Sequence, residues 1–94
     1  MSTTAKYIVD KFDGKNSFSL WKVKMEAILT QQGIEEALKG RNSLPSTLTD
    51  REKDGILKKA YSAIQLSLFD EVLGQVVDMK QVDQLWKMLE DLYL

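Results

Sequence analysis

Apolar residues in this chain return every three or four positions in several separate stretches, and nowhere do they alternate for long. That period places them on one side of a helix, so burial of helix faces rather than strand pairing must drive folding. One Pro and five Gly among 94 residues leave few interruptions, and those present fall between the periodic stretches. The expectation is an all-α fold: one domain over 1–94, a small bundle of four to five helices with an extended N-terminal arm.

The arm covers 1–12 and carries Tyr7, Ile8, Val9 and Phe12. Asp13-Gly14-Lys15-Asn16 follows as a turn, because these residue types tolerate its backbone angles. Asn16 or Ser17 caps a first helix over about 17–32, and Gly33 stops it. At 100° per residue Trp21, Met25, Ile28 and Leu29 share one face, while Leu20, Val23 and Ala27 form a second apolar strip. A surface helix needs one such stripe, so this helix is either central to the bundle or keeps a strip for a partner.

A short helical turn at 34–38 ends at Gly40, and 40–48 reads as a loop. Thr49-Asp50-Arg51-Glu52 has the form of a capping box, opening a helix over about 50–66 that buries Ile56, Leu57, Ala60 and Ile64, with Leu68 beyond. Gly55 lies on its polar side and costs about 1 kcal/mol relative to Ala. After a break near Leu68, a short helix at 70–77 turns Val72, Leu73, Val76 and Val77 inward. The last helix, about 80–94, buries Val82, Leu85, Trp86, Leu89 and Leu92 or Tyr93, with Asp78 and Gln81 as a second box at its start.

The residue inventory excludes much chemistry. With no Cys and no His, disulfides, thiolate nucleophiles, zinc knuckles and imidazole acid–base catalysis are unavailable. The pairs Asp70-Glu71 and Glu90-Asp91 point about 100° apart on a helix and read as dipole-favoured or solvated charges. No Gly-rich phosphate loop or Asp-rich metal loop is present. No enzyme activity, cofactor or metal is therefore expected.

Charges total 13 basic and 14 acidic, giving net -1. Residues 1–41 hold seven basic and five acidic residues, and 42–94 hold six and nine. Lys6, Lys11, Lys15, Lys22 and Lys24 lie among aromatic residues, but Asp10, Asp13 and Glu26 interrupt them, so RNA binding should be weak at most. No apolar run approaches the roughly 18 residues of a membrane span. The N-terminus has no signal-peptide h-region, from which a cytoplasmic protein is expected, with the nucleus left open.

Four segments carry a family likeness. Lys11-Phe12-Asp13-Gly14-Lys15-Asn16 with Phe18-Ser19-Leu20-Trp21-Lys22-Val23-Lys24-Met25-Glu26 resembles the start of the Gag polyprotein of copia-type LTR retrotransposons, plant ones especially. Gln31-Gln32-Gly33-Ile34 through Ala37-Leu38-Lys39-Gly40 is similar to that family's loop after the first helix. Ala63-Ile64, Leu66, Leu68 and Asp70-Glu71-Val72-Leu73 resemble its "AIxLxLxDEVL" stretch, and Leu85-Trp86-Lys87-Met88-Leu89-Glu90-Asp91-Leu92-Tyr93 its "LWxxLExLY" ending. The order and spacing of the four make the likeness specific. One departure is Phe69 where the family has a Ser that caps the next helix. Either Ser67 takes over as cap or Phe69 packs as a hydrophobic staple. Another is Met79-Lys80-Gln81 in place of a Thr-rich lead into the last helix.

The resemblance implies a structural role: the N-terminal part of a capsid-like region, self-associating in virus-like particles. The family's CCHC knuckle has no counterpart here. The expected partner is a second copy or full-length Gag. The alternative is a truncated, domesticated Gag-like protein that binds Gag or a host protein and regulates assembly. The uncapped apolar end at Leu92-Tyr93-Leu94 reads as a chain cut within or just after a helix, or as an interface. Core and family-motif positions are Phe12, Gly14, Trp21, Met25, Ile28, Leu29, Ile64, Leu68, Leu73, Leu85, Trp86 and Leu89. Candidate interface positions are Leu20, Val23, Ala27 and Leu94.

Overall fold

The computed structural model describes residues 10–94. Its elements are α1 (Phe18–Gln31), two 3₁₀ turns (Glu35–Lys39 and Arg41–Ser43), α2 (Asp50–Leu66), α3 (Asp70–Val76) and α4 (Val82–Tyr93). The protein is all-α, a small helical bundle, and the described residues contain no strand beyond one isolated bridge. Tyr7, Ile8 and Val9 of the expected arm lie outside the described residues.

Local chemistry sets several boundaries. Ser17, not Asn16, caps α1: its side chain accepts the Leu20 N–H at 3.1 Å. Asn16 is occupied in the turn before it: its side-chain oxygen accepts the Asp13 N–H at 3.1 Å, while the Asp13 carboxylate accepts the N–H groups of Lys15 (2.8 Å) and Asn16 (2.9 Å). Gly33 leaves α1 at φ +74, a conformation that a side chain would strain. The Thr49–Glu52 capping box forms in both directions, at 2.8 and 3.1 Å.

The core is built around the first 3₁₀ turn. It packs against α1, α2 and α4, and Ala37, its innermost residue, is fully buried. A small side chain there lets three helices approach one short segment. The stretch expected as a plain loop, 40–48, instead carries the second 3₁₀ turn and buries Leu44. Arg41 holds it to α2 by pairing with Asp50 (3.1 Å) and Asp54. These two carboxylates raise the guanidinium's pKa further above its ordinary value, the Asp54 hydrogen bond contributing most.

Phe12 lies in extended backbone but belongs to the core. Its N–H donates to the Ser67 carbonyl and its carbonyl accepts from Phe69 N–H, both at 3.0 Å, across the break between α2 and α3. The ring meets Phe18 and Tyr93 edge-on, with centroids 5.2 and 4.8 Å away. Gly14 at φ +89 turns the chain back toward α1.

Three expectations are corrected. Val77 points outward, because α3 ends at Val76 and the chain turns away. Asp78 and Gln81 form no box: α4 begins only at Val82, with Gln81 in the cap position and no side-chain bond. The segment before it is held instead by Tyr61, whose hydroxyl donates to the Met79 carbonyl at 2.7 Å. Neither remedy for the missing Ser cap of α3 is used. Ser67 donates back to the Ala63 carbonyl at 2.9 Å, and Phe69 is half-exposed beneath Lys11, whose Nζ lies 5.7 Å from the ring centroid.

Candidate interaction surface

The core accounts for one side of α1. Phe18, Trp21, Met25 and Leu29 are buried there, and Ile28 is half-buried beside them. α4 supplies the facing wall through Val82, Leu85, Trp86 and Leu89. Trp21 and Trp86 meet at 5.7 Å between centroids, and the Trp21 indole N–H donates to the Ser67 carbonyl at 3.2 Å. A buried indole thus finds its acceptor where the α2–α3 break frees a carbonyl. From α2 and α3 come Ala60, Ile64, Leu68, Val72 and Val76, with Leu73 half-buried.

Among the motif positions, Phe12, Trp21, Met25, Leu29, Ile64, Leu68, Leu85, Trp86 and Leu89 gather in this one cluster. Ile28 and Leu73 flank it, and Gly14 supplies the turn. Four buried hydrophobic residues are not among the expected core positions: Phe18, Ile34, Ala37 and Leu44. Phe18 was legible, since it stands three residues before Trp21 on the same face. Ala37 and Leu44 carry no periodic signal.

The second strip of α1 is left outside. Leu20 is 55% exposed and Val23 61%, and Ala27 lies with them in solvent. The helix is therefore not central; it covers the core with one face and presents apolar side chains with the other. Ser19, Thr30 and Gln31 complete the outer face without adding a charge. The charges nearest it are Lys24 on one flank and Glu26 on the other. Glu26 pairs with Lys22 at 3.4 Å, and Lys22 bridges on to Glu90 of α4 at 3.5 Å. Leu94 is 70% exposed at the end of α4, and Leu66, Phe69, Val77 and Leu92 are further exposed apolar residues.

Among the described residues no group of three or more Asp and Glu is placed to hold a metal ion. No helix among them is long and apolar enough to cross a membrane. Shallow depressions exist, such as one of about 380 Å³ lined by Arg41, Tyr61, Lys80 and Asp83, but Arg41 is committed to Asp50 and Asp54 and Tyr61 to Met79.

Comparison with known proteins agrees with the family likeness. The family described as gag-polypeptide of LTR copia-type matches residues 25–94. The chain is 36% identical over 89 residues to the "Retrovirus-related Pol polyprotein from transposon TNT 1-94" of Nicotiana tabacum. That alignment covers 95% of this chain and 7% of the polyprotein, so the chain corresponds to a small part of its relative. No solved structure matches it significantly. A helical domain with the four motifs in order, matched over most of its length, belongs to the gag-polypeptide family of copia-type LTR elements.

Proposed function

We propose that this domain is a self-associating structural piece of a copia-type Gag, acting through protein–protein contacts in the building of a particle shell and not by catalysis. The observation that carries the reading is the outer face of α1, where Leu20 and Val23 stand more than half exposed on a helix whose opposite face already fills the core. Contiguous apolar surface of this kind costs solubility unless something covers it. A shell repeats one modest contact many times, so a weak pairwise interface suffices.

Sedimentation velocity over a hundredfold concentration range tests the reading. The protein should be monomeric at low micromolar concentration and form dimers or larger species at high concentration. Val23→Asp should abolish those species and leave the far-UV circular dichroism spectrum unchanged, because Val23 is not in the core. A strict monomer at all concentrations would remove the proposal.

A further inference from the structure

The outer face of α1 has a geometry as well as an exposure. Leu20, Val23, Ala27 and Thr30 follow one another at steps of three, four and three. That is the spacing of a two-helix seam, narrower than the stripe a helix lays on a globular core. Thr30 fits such a seam despite its hydroxyl, which already donates to the Glu26 carbonyl at 2.8 Å and so can be buried with its bond made. Ala27 at the middle permits close approach. The flanks carry Ser19 and Glu26 on one side, Lys24 and Gln31 on the other.

We infer that this seam is occupied by α1 of a second copy, lying parallel and in register, an inference that rests on the self-association proposed above. The charges decide the orientation. In an antiparallel pair with Leu20 opposite Thr30 and Val23 opposite Ala27, the two Lys24 side chains share one edge and the two Glu26 side chains share the other. The Glu26 charge is already paired with Lys22, but the two Lys24 ammonium groups have no acidic partner across the seam, and that like-charge edge opposes the arrangement. In a parallel pair the flanks cross over: Ser19 meets Lys24, and Glu26 meets Gln31, whose amide donates to the carboxylate. No like-charge contact remains. The seam spans only two heptads, so it buries less than the roughly 1,200–2,000 Å² of a standard stable interface. It is a weak contact of the kind an assembly repeats.

The absence of Cys makes the test direct. Leu20→Cys, Val23→Cys and Ala27→Cys are made singly and treated, at a concentration where oligomers form, with mild oxidant or a short bismaleimide. Parallel, in-register packing places each position beside its own copy. Every one of the three should then give covalent dimer, about tenfold or more above Gln84→Cys on the exposed face of α4, because seated thiols are held at high effective concentration. All the substituted positions, Thr30 included, are exposed, and circular dichroism checks that each variant folds. Cross-linking confined to the mixed pairs Leu20→Cys with Thr30→Cys and Val23→Cys with Ala27→Cys would show an antiparallel seam and overturn the inference. Oligomers in sedimentation with no seam cross-link would overturn it too, while leaving self-association through another surface intact. A protein that stays monomeric and uncross-linked removes both.

Discussion

Truncating Phe12 to Ala should unfold a large part of the protein's stability, although the residue lies in no helix and precedes the 25–94 stretch that the family matches. Its ring is 1% exposed. Removing a buried Phe side chain costs about 3–5 kcal/mol through lost transfer energy and the cavity left behind. The edge-on contacts with Phe18 and Tyr93 add about 0.5–1.5 kcal/mol each where the geometry is good, which favours the upper end of that range. A domain of this size has about 5–14 kcal/mol in total, so the loss is a large fraction of it. Urea titration followed by Trp fluorescence suits the question, since Trp21 sits 5.9 Å from the Phe12 ring and Trp86 next to Trp21. The midpoint should fall with little change in slope, and the melting temperature should drop by at least about 12 °C. Phe69→Ala, half-exposed and on the same backbone pairing, is the control and should cost under about 1 kcal/mol. A Phe12→Ala cost as small as that of the control would refute the view that the segment before α1 is part of the core.

Gly55→Ala should stabilise the protein by about 0.5–1 kcal/mol, because an added Cβ meets nothing within 4 Å and no positive φ has to be kept; Gly33→Ala should destabilise it by about 1–2 kcal/mol, since φ +74 strains a side chain even in open space. The N–H groups of Asn16 and then Lys15 lower the Asp13 pKa, so its contribution is present above the unfolded value and is lost as pH falls through the lower folded one. The stability gap between wild type and Asp13→Asn, measured by urea titration, should be constant from about pH 5 to 7 and close below about pH 4. Residues 25–94 alone should give a largely unfolded circular dichroism spectrum, because they lack Phe12, Phe18 and Trp21. Mobility-shift titration with single-stranded RNA at about 150 mM salt should show no complex tighter than the roughly 10⁻⁴–10⁻⁶ M non-specific range.

What could be read in the sequence was what a few neighbouring residues settle among themselves. The Thr49–Glu52 box needs only residues three apart, and both its bonds form. The stop at Gly33 needs only a residue able to take positive φ. The inward positions of α4 follow from a single period, and Val82, Leu85, Trp86 and Leu89 are buried as that period requires. For α1 the period found both apolar strips, and Trp21, Met25, Ile28 and Leu29 were legible as the core one, but nothing within the helix says whether the second strip is buried too. That depends on whether another element comes to lie over it, which is not encoded within the helix.

The same limit explains the corrections. Asp78 had the right chemistry for a cap, yet the Tyr61 hydroxyl, 18 residues away, holds the Met79 carbonyl and the helix starts later. Val77 kept the period of α3, but the helix ends one residue earlier. Ala37 shows no pattern at all and becomes the point where three helices meet, because its smallness matters only once they are there. Phe12 looked like part of an arm, and two backbone bonds across the α2–α3 break draw it into the core. The sequence by itself determined helix content, two of the caps and the family, since those rest on bonds and spacings within a turn or on the order of motifs. Only the tertiary structure decided that the second strip of α1 is surface and not further core, because burial is a property of what packs against a residue and not of the residue alone.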